Sequence, residues 1–176
     1  MIKFAHILNY VARTPWAIAP EKMQEILSVL AFRASGGEFT AEEIRARIGG
    51  DPEPQPTASK RGAIAVIPIR GVIAHRMGSM DDTSGGTSCE RIGAMLEAVA
   101  ADGSIGTVVF DIDSPGGTVT GCQELAGRMF ETRGRGTQKF VAQVNGMACS
   151  AAYWLASQCD EIVSIPSGSA GAIGVF

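Results

Sequence analysis

From Gly62 onward, short apolar runs alternate with stretches whose apolar positions recur every three or four residues. AIAVIPI predicts a strand with no polar face, and RGVIA a second strand after a glycine bend. A run without alternation implies burial on both sides of a sheet. SCERIGAMLEAVAAD predicts a helix capped by Ser88, GTVVFDID a buried strand, SPGG a turn, and TVTGCQELAGRMFETR a helix that begins almost at once. KFVAQVN follows as a strand, Asn145-Gly146 as a turn, CSAAYWLASQ as a helix and DEIVSIP as a strand. This alternation predicts an α/β domain over residues 62–176 with largely parallel strands. The polar, glycine-rich RMGSMDDTSGGTS reads equally well as a cover over a site and as a solvated connection.

The first 50 residues have a different character and predict an N-terminal helical, solvent-facing extension. In APEKMQEILSVLAFRA, Met23, Ile26, Leu27 and Leu30 recur at helical spacing behind Pro20. In GGEFTAEEIRARIGG, Thr40 and Glu43 fit a capping box, and Gly49 fits a stop. Residues 51–61, with three prolines in DPEPQP, predict an extended linker.

Composition narrows the function classes. The chain has 176 residues, 45% of them hydrophobic, enough for one domain with a real core. A net charge of −3 argues against a general nucleic-acid or membrane-surface binder. The 22 glycines fall in short clusters, as tight turns and close backbone approaches require. Cys89, Cys122, Cys149 and Cys159 form no C-x-x-C pair, which argues against zinc and for reduced thiols in an intracellular protein. No secretory signal and no spanning apolar stretch are evident. SGSAGAIGVF closes on an apolar run with nothing polar after it, so a longer protein is expected to continue past Phe176. No cofactor is expected.

Active sites of parallel α/β sheets lie beyond the carboxyl ends of the strands, and two such ends stand out. In DIDSPGG, Pro115 stiffens the turn while Gly116 and Gly117 expose amides suited to a negative oxygen; an ordinary strand-to-helix turn is the competing reading. In NGMACSAAYWLAS, Ser150 opens a helix among small residues. It could be a plain N-cap. It could also be a nucleophile on a sharp strand-to-helix turn, with the Ala151 and Gly117 amides forming a two-donor oxyanion hole. A serine nucleophile needs a base. His6 and His75 are poorly placed for one, and of Lys3, Lys22, Lys60 and Lys139 the last stands a whole strand away. Cys149 reads as packing, Asp113 as a turn-holder rather than a metal ligand with Asp111, and Tyr153 and Trp154 as packing or subunit-contact residues.

Together, DIDSPGG, NGMACSAAYWLAS and CDEIVSIPSGSAGAIGVF resemble the signal peptide peptidase A (protease IV) family of serine peptidases, over about Gly62 to Phe176. Within that family the chain looks most like the bacteriophage and prophage capsid assembly proteases, which cleave scaffold or head proteins; TPWAIAPEKMQEIL has the flavour of that branch. The resemblance implies a ClpP/crotonase-like fold of repeated strand-strand-helix units. It implies Ser150 as nucleophile, Gly117 and Ala151 as oxyanion amides and Gly116 as the residue shaping the turn. It also implies a Ser-Lys dyad whose lysine lies some tens of residues beyond GAIGV, outside this chain, so that the fragment alone lacks a complete dyad. A homo-oligomer acting on a protein or peptide substrate, scaffold or capsid protein, in the bacterial cytoplasm or the phage prohead is implied as well. The family has Ala-Ser-Gly-Gly around the nucleophile, whereas here Cys149-Ser150-Ala151-Ala152 keeps the amide but loses the glycines. Two rivals stand beside the peptidase: a crotonase-like acyl-CoA enzyme using the same amides, and an inactive capsid-assembly component.

Overall fold

A computed structural model describes residues 5–40, 42, 43, 46, 56–77 and 85–174. Its elements are α1 (Ala5–Arg13), β1 (Trp16–Ile18), α2 (Pro20–Ala34), β2 (Ser59–Arg61), β3 (Ile64–Arg70), β4 (Ile73–Ala74), β5 (Thr87–Ser88), α3 (Cys89–Ala100), β6 (Thr107–Ser114), β7 (Gly116–Thr118), α4 (Cys122–Arg135), β8 (Lys139–Cys149), α5 (Ala151–Ala156), β9 (Glu161–Ser164) and β10 (Ser169–Gly171). The Gly49 stop, residues 51–55 of the linker, residues 78–84 of the glycine-rich loop and the terminal Val175-Phe176 lie outside the described residues.

The larger sheet runs β10-β8-β6-β3-β2, with β9 beside β10 on the free edge of β8. Strands β3, β6, β8, β9 and β10 are parallel to their neighbours, and β2 is antiparallel. Because β3, β6, β8 and β9 follow one another across the sheet without reversal, right-handed crossovers put α3, α4 and α5 on the same face. That face is the core. Ala65, Ile67 and Ile69 of β3, Val108, Phe110 and Ile112 of β6, and Phe140, Ala142 and Val144 of β8 pack against Ile92 and Leu96 of α3, Leu125 and Met129 of α4, and Leu155 of α5. The rings of Phe110 and Phe140 meet edge to face at 5.4 Å between centroids.

Among the described residues no helix covers the opposite face. Val66, Val109, Val141 and Gln143 are half-buried there, and all four residues of β9 are exposed, Ile162 at 41% and Val163 at 38%. The expectation that these apolar runs are buried on both sides is therefore corrected: single winding covers one face, and β-branched residues line the other for their strand propensity.

A second, smaller sheet has the order β1-β7-β4-β5. It arises because β3 and β6 each bend into a short strand, β4 after Gly71 and β7 after Pro115, before the helix of their unit. This is the strand-strand-helix repeat that the resemblance implied. Three local expectations change. Trp16–Ile18, in the stretch expected to be helical and solvent-facing, is a buried strand paired antiparallel with β7. Ser59–Arg61, at the end of the expected linker, pairs with β3. SPGG does not open a helix at once: Gly116–Thr118 forms β7, and α4 begins at Cys122. The expected caps hold. Ser88 Oγ accepts from Arg91 N–H, and Thr40 and Glu43 bond reciprocally, at 2.8 Å and 3.1 Å.

Two predictions follow from this core. Phe110→Ala removes a fully buried ring and is expected to lower stability by about 3–5 kcal/mol, read as a reduced urea midpoint. Burial first, then neighbouring negative charge, pushes the thiols of Cys89 up to about 11 and of Cys122 and Cys159 up to about 12. At pH 8 their thiolates are scarce, so all three are expected to resist a thiol-exchange reagent in the native chain and to react fully in guanidinium, as mass spectrometry will show.

Candidate active site around Ser150

β8 does not turn at Asn145-Gly146 as the dipeptide suggests. It runs on to Cys149 through a bulge, where the register with β6 shifts between Ile112↔Val144 and Ser114↔Ala148. Asp113 explains the choice. Its Oδ1 accepts from Met147 N–H at 3.2 Å and lies so close to Gly146 that a β-carbon there would stand 2.3 Å away. Asp111 is occupied by an ion pair with Arg70 and a hydrogen bond from Asn145. Both carboxylates thus brace the strand ends, as Asp113 was expected to do.

The sharp turn falls on Ser150 itself. Its backbone sits at φ 53°, ψ −110°, in a region that a non-glycine residue enters only under constraint. Ser150 N–H donates to Gly171 O at 2.8 Å, and Ser150 O accepts from Trp154 N–H at 2.8 Å. The side chain makes no cap bond to α5; Oγ instead donates to Gly174 O at 3.1 Å. The plain N-cap reading therefore fails. The hydroxyl lines a cavity of about 350 Å³ shared with Ala17, Tyr153, Trp154, Ser157, Ile173 and Gly174.

The two strand ends do meet. Gly116, at φ 97°, lies against the start of α5: a β-carbon on it would stand 2.7 Å from Cys149 O and 3.1 Å from Ala151 N. Gly117 is squeezed by the neighbouring strand, for a β-carbon there would stand 1.7 Å from Ile73 O. Ser114 Oγ fixes the turn by donating to Gly71 O at 2.6 Å and accepting from Gly116 N–H at 3.2 Å. Gly116 thus meets the Cys149–Ala151 turn, and Gly117 follows it in β7, so that its amide belongs to a strand and not to a helix start.

The candidate bases are elsewhere. Lys22, Lys60 and Lys139 are paired with Glu25, Asp102 and Glu161. Lys3 is outside the described residues, and His6 lies in α1. His75 follows β4 and packs on Gly121, its Nδ1 buried without a hydrogen-bond partner among the described residues. None of the described ones lines the Ser150 cavity. The Cys149 thiol is pushed up by burial and by Glu21, with a weaker opposing bond from Ser169, which disfavours a thiolate nucleophile.

Tyr153 and Trp154, read from sequence as packing or subunit-contact residues, line the cavity, and Trp154 also packs against the main core; their i+3 and i+4 spacing from Ser150 was the available signal for the cavity. Ala17 had no such signal.

Residues 134–176 match the model of Peptidase family S49. Capsid assembly protease C of Escherichia phage lambda is 32% identical over 158 residues, covering 85% of this chain and 35% of that protein. Head-tail preconnector protein GP5 of Enterobacteria phage P21 is 40% identical over 114 residues, 64% of this chain and 22% of that protein. Protease 4 of Salmonella typhi is 28% identical over 141 residues, 80% of this chain and 22% of that protein. The chain thus spans between 22% and 35% of the length of these relatives. Among solved structures, a probable enoyl-CoA hydratase from Mycobacterium smegmatis superposes with a TM-score of 0.50 at 12% identity, covering 68% of this chain and 52% of that one, which shows the crotonase-like fold alone. The chain is a relative of the S49 peptidases, with protease 4 and the phage capsid assembly protease among its matches, and the resemblance read from its motifs is borne out.

Proposed function

We propose that residues 62–176 carry the nucleophile half of a serine endopeptidase that processes head or scaffold proteins of a phage or prophage. The observation that carries the reading is the backbone of Ser150, held at φ 53° on a strand-to-helix turn with its hydroxyl released from capping. A crotonase-type enzyme needs the two amides but has no use for a strained serine between them.

In this reading Ser150 Oγ attacks the substrate carbonyl carbon. The hydroxyl proton passes to a general base, and the developing oxyanion is held by the amides of Ala151 and Gly117. The base protonates the departing amine, and water then releases the acyl group from Ser150. The base is a lysine of the longer protein or of a neighbouring copy, in keeping with the family resemblance. Small apolar residues are favoured beside the cut, because the neighbours of the serine, Ala148, Ala151 and Ala152, are small and buried. Tyr10, Leu27 and Phe32 leave apolar surface exposed on α1 and α2 and suit self-association. Among the described residues no helix is long and apolar enough to cross a membrane, and the reading puts the enzyme in the bacterial cytoplasm or the prohead.

The test uses the longer protein that extends past Phe176. A fluorophosphonate is expected to label Ser150, and Ser150→Ala to abolish labelling and lower peptide hydrolysis by about 10³-fold or more. The rate is expected to rise with pH along a limb above the ordinary histidine value of about 6.5, as a desolvated lysine base requires. Failure of the extended protein to label at Ser150 sinks the reading in favour of a structural component.

A further inference from the structure

The edge of β7 beside Ser150 is taken by the chain's own β1, in the register Trp16↔Thr118, Ala17↔Gly117, Ile18↔Gly116. Val119 N–H donates to Pro15 O at 3.1 Å, and Ala19 N–H donates to Pro115 O at 2.7 Å. Hydrogen-bonded pairs alternate with non-bonded ones in an antiparallel ladder. Bonds at 15/119 and 19/115 therefore make Ala17/Gly117 the bonded pair between them, with the Gly117 amide on the Ala17 carbonyl. That carbonyl also lies near the second donor: a β-carbon on Gly116 would stand 2.3 Å from Ala17 O and 3.1 Å from Ala151 N. Ala17 lines the Ser150 cavity as well. A peptide that Ser150 is to cut must bring an extended strand and a carbonyl to this place.

We propose that the β7 edge is the berth for an extended peptide, and that Pro15–Ala19 occupies it as an internal stand-in. Ala17 holds the position of the residue whose carbonyl is attacked, and Ile18 the first position beyond the bond. The proposal rests on the peptidase reading above and adds to it a register and a competitor. A foreign peptide binds by displacing β1 and taking over the amides of Gly117 and Val119.

The segment is built to leave. It is three residues long, and each flanking pair contains a proline, Pro15 or Pro115, so each carries one hydrogen bond where two are usual. Trp16 and Ile18 pack with Met23 in a small cluster of their own, and only the small side chain of Ala17 joins the main core, so withdrawal uncovers little of it. Trp16 is the anchor, with Nε1 donating to Val11 O at 2.9 Å.

A reversible lock tests this. Trp16 and Thr118 face each other in a non-bonded pair, whose α-carbon separation of about 4.5 Å suits a disulfide. The chain carrying Trp16→Cys and Thr118→Cys, in a Ser150→Ala background, is titrated with fluorescein-labelled acetyl-TPWAIAP-amide and read by anisotropy. The oxidised form keeps β1 in place, and the reduced form has lost its anchor. The reduced form is expected to bind at least about tenfold more tightly, and the bound peptide to slow hydrogen exchange at the amides of Gly117 and Val119. Equal affinity in the two forms overturns the proposal, as does absence of binding in both, or binding that leaves those two amides unprotected. Hydrolysis plays no part in this readout, so failure of the berth and failure of the peptidase reading are told apart.

Discussion

Ser150 holds a backbone conformation that costs a side-chain-bearing residue roughly 1–3 kcal/mol, and it persists only because its surroundings over-determine it. Ala148, two residues before it, is paired with both β6 and β10, and the N–H of Ser150 itself is bonded to the end of β10. Its carbonyl is bonded into the first turn of α5. With both neighbours fixed, the chain can pass from strand to helix only by folding sharply at this residue. That fold points the hydroxyl out of the helix-capping position and into the cavity. The small residues around it follow from the same constraint: Ala148, Ala151 and Ala152 are fully buried where β7 crosses close by.

The sheet supplies the rigidity. Three long parallel strands, β3, β6 and β8, are sealed on one face by three helices, and both site turns leave the sheet at the same end. The bulge at Asn145-Gly146 then sets how far β8 reaches beyond β6. A strand without the bulge would present Ser150 out of step with Gly116. Asp113 therefore matters to the site although it touches no reacting group, because its carboxylate stabilises the bulge.

Close backbone approach accounts for the glycines that matter most. Gly117 is needed because β4 passes against it, and Gly116 because its positive φ turns β6 into β7 beside the start of α5. The thiols tell a complementary story: Cys89, Cys122 and Cys159 are core volume, held protonated by burial. Their scattered spacing in the sequence already spoke against a metal site, and burial explains why small polarizable side chains suffice there.

Periodicity was enough to reveal the long strands and helices from Ile64 to Ser164, because each is long enough for its apolar repeat to emerge, whereas β5 and β7, of two and three residues, are not. Local chemistry was enough to single out Ser150 and the SPGG glycines as candidates, since a hydroxyl among alanines and a Pro-Gly-Gly turn both stand at strand ends. What tertiary structure decided was everything that depends on partners distant in sequence. Asn145-Gly146 became a bulge and not a turn because Asp113, from another strand, occupies the inside of the bend. Trp16–Ile18 became a strand because β7 offered it an unpaired edge, and three residues are too few to announce a period of two. Which face of the sheet received α3, α4 and α5 was likewise set by the order in which the strands were laid down, a global property that no local window of residues contains.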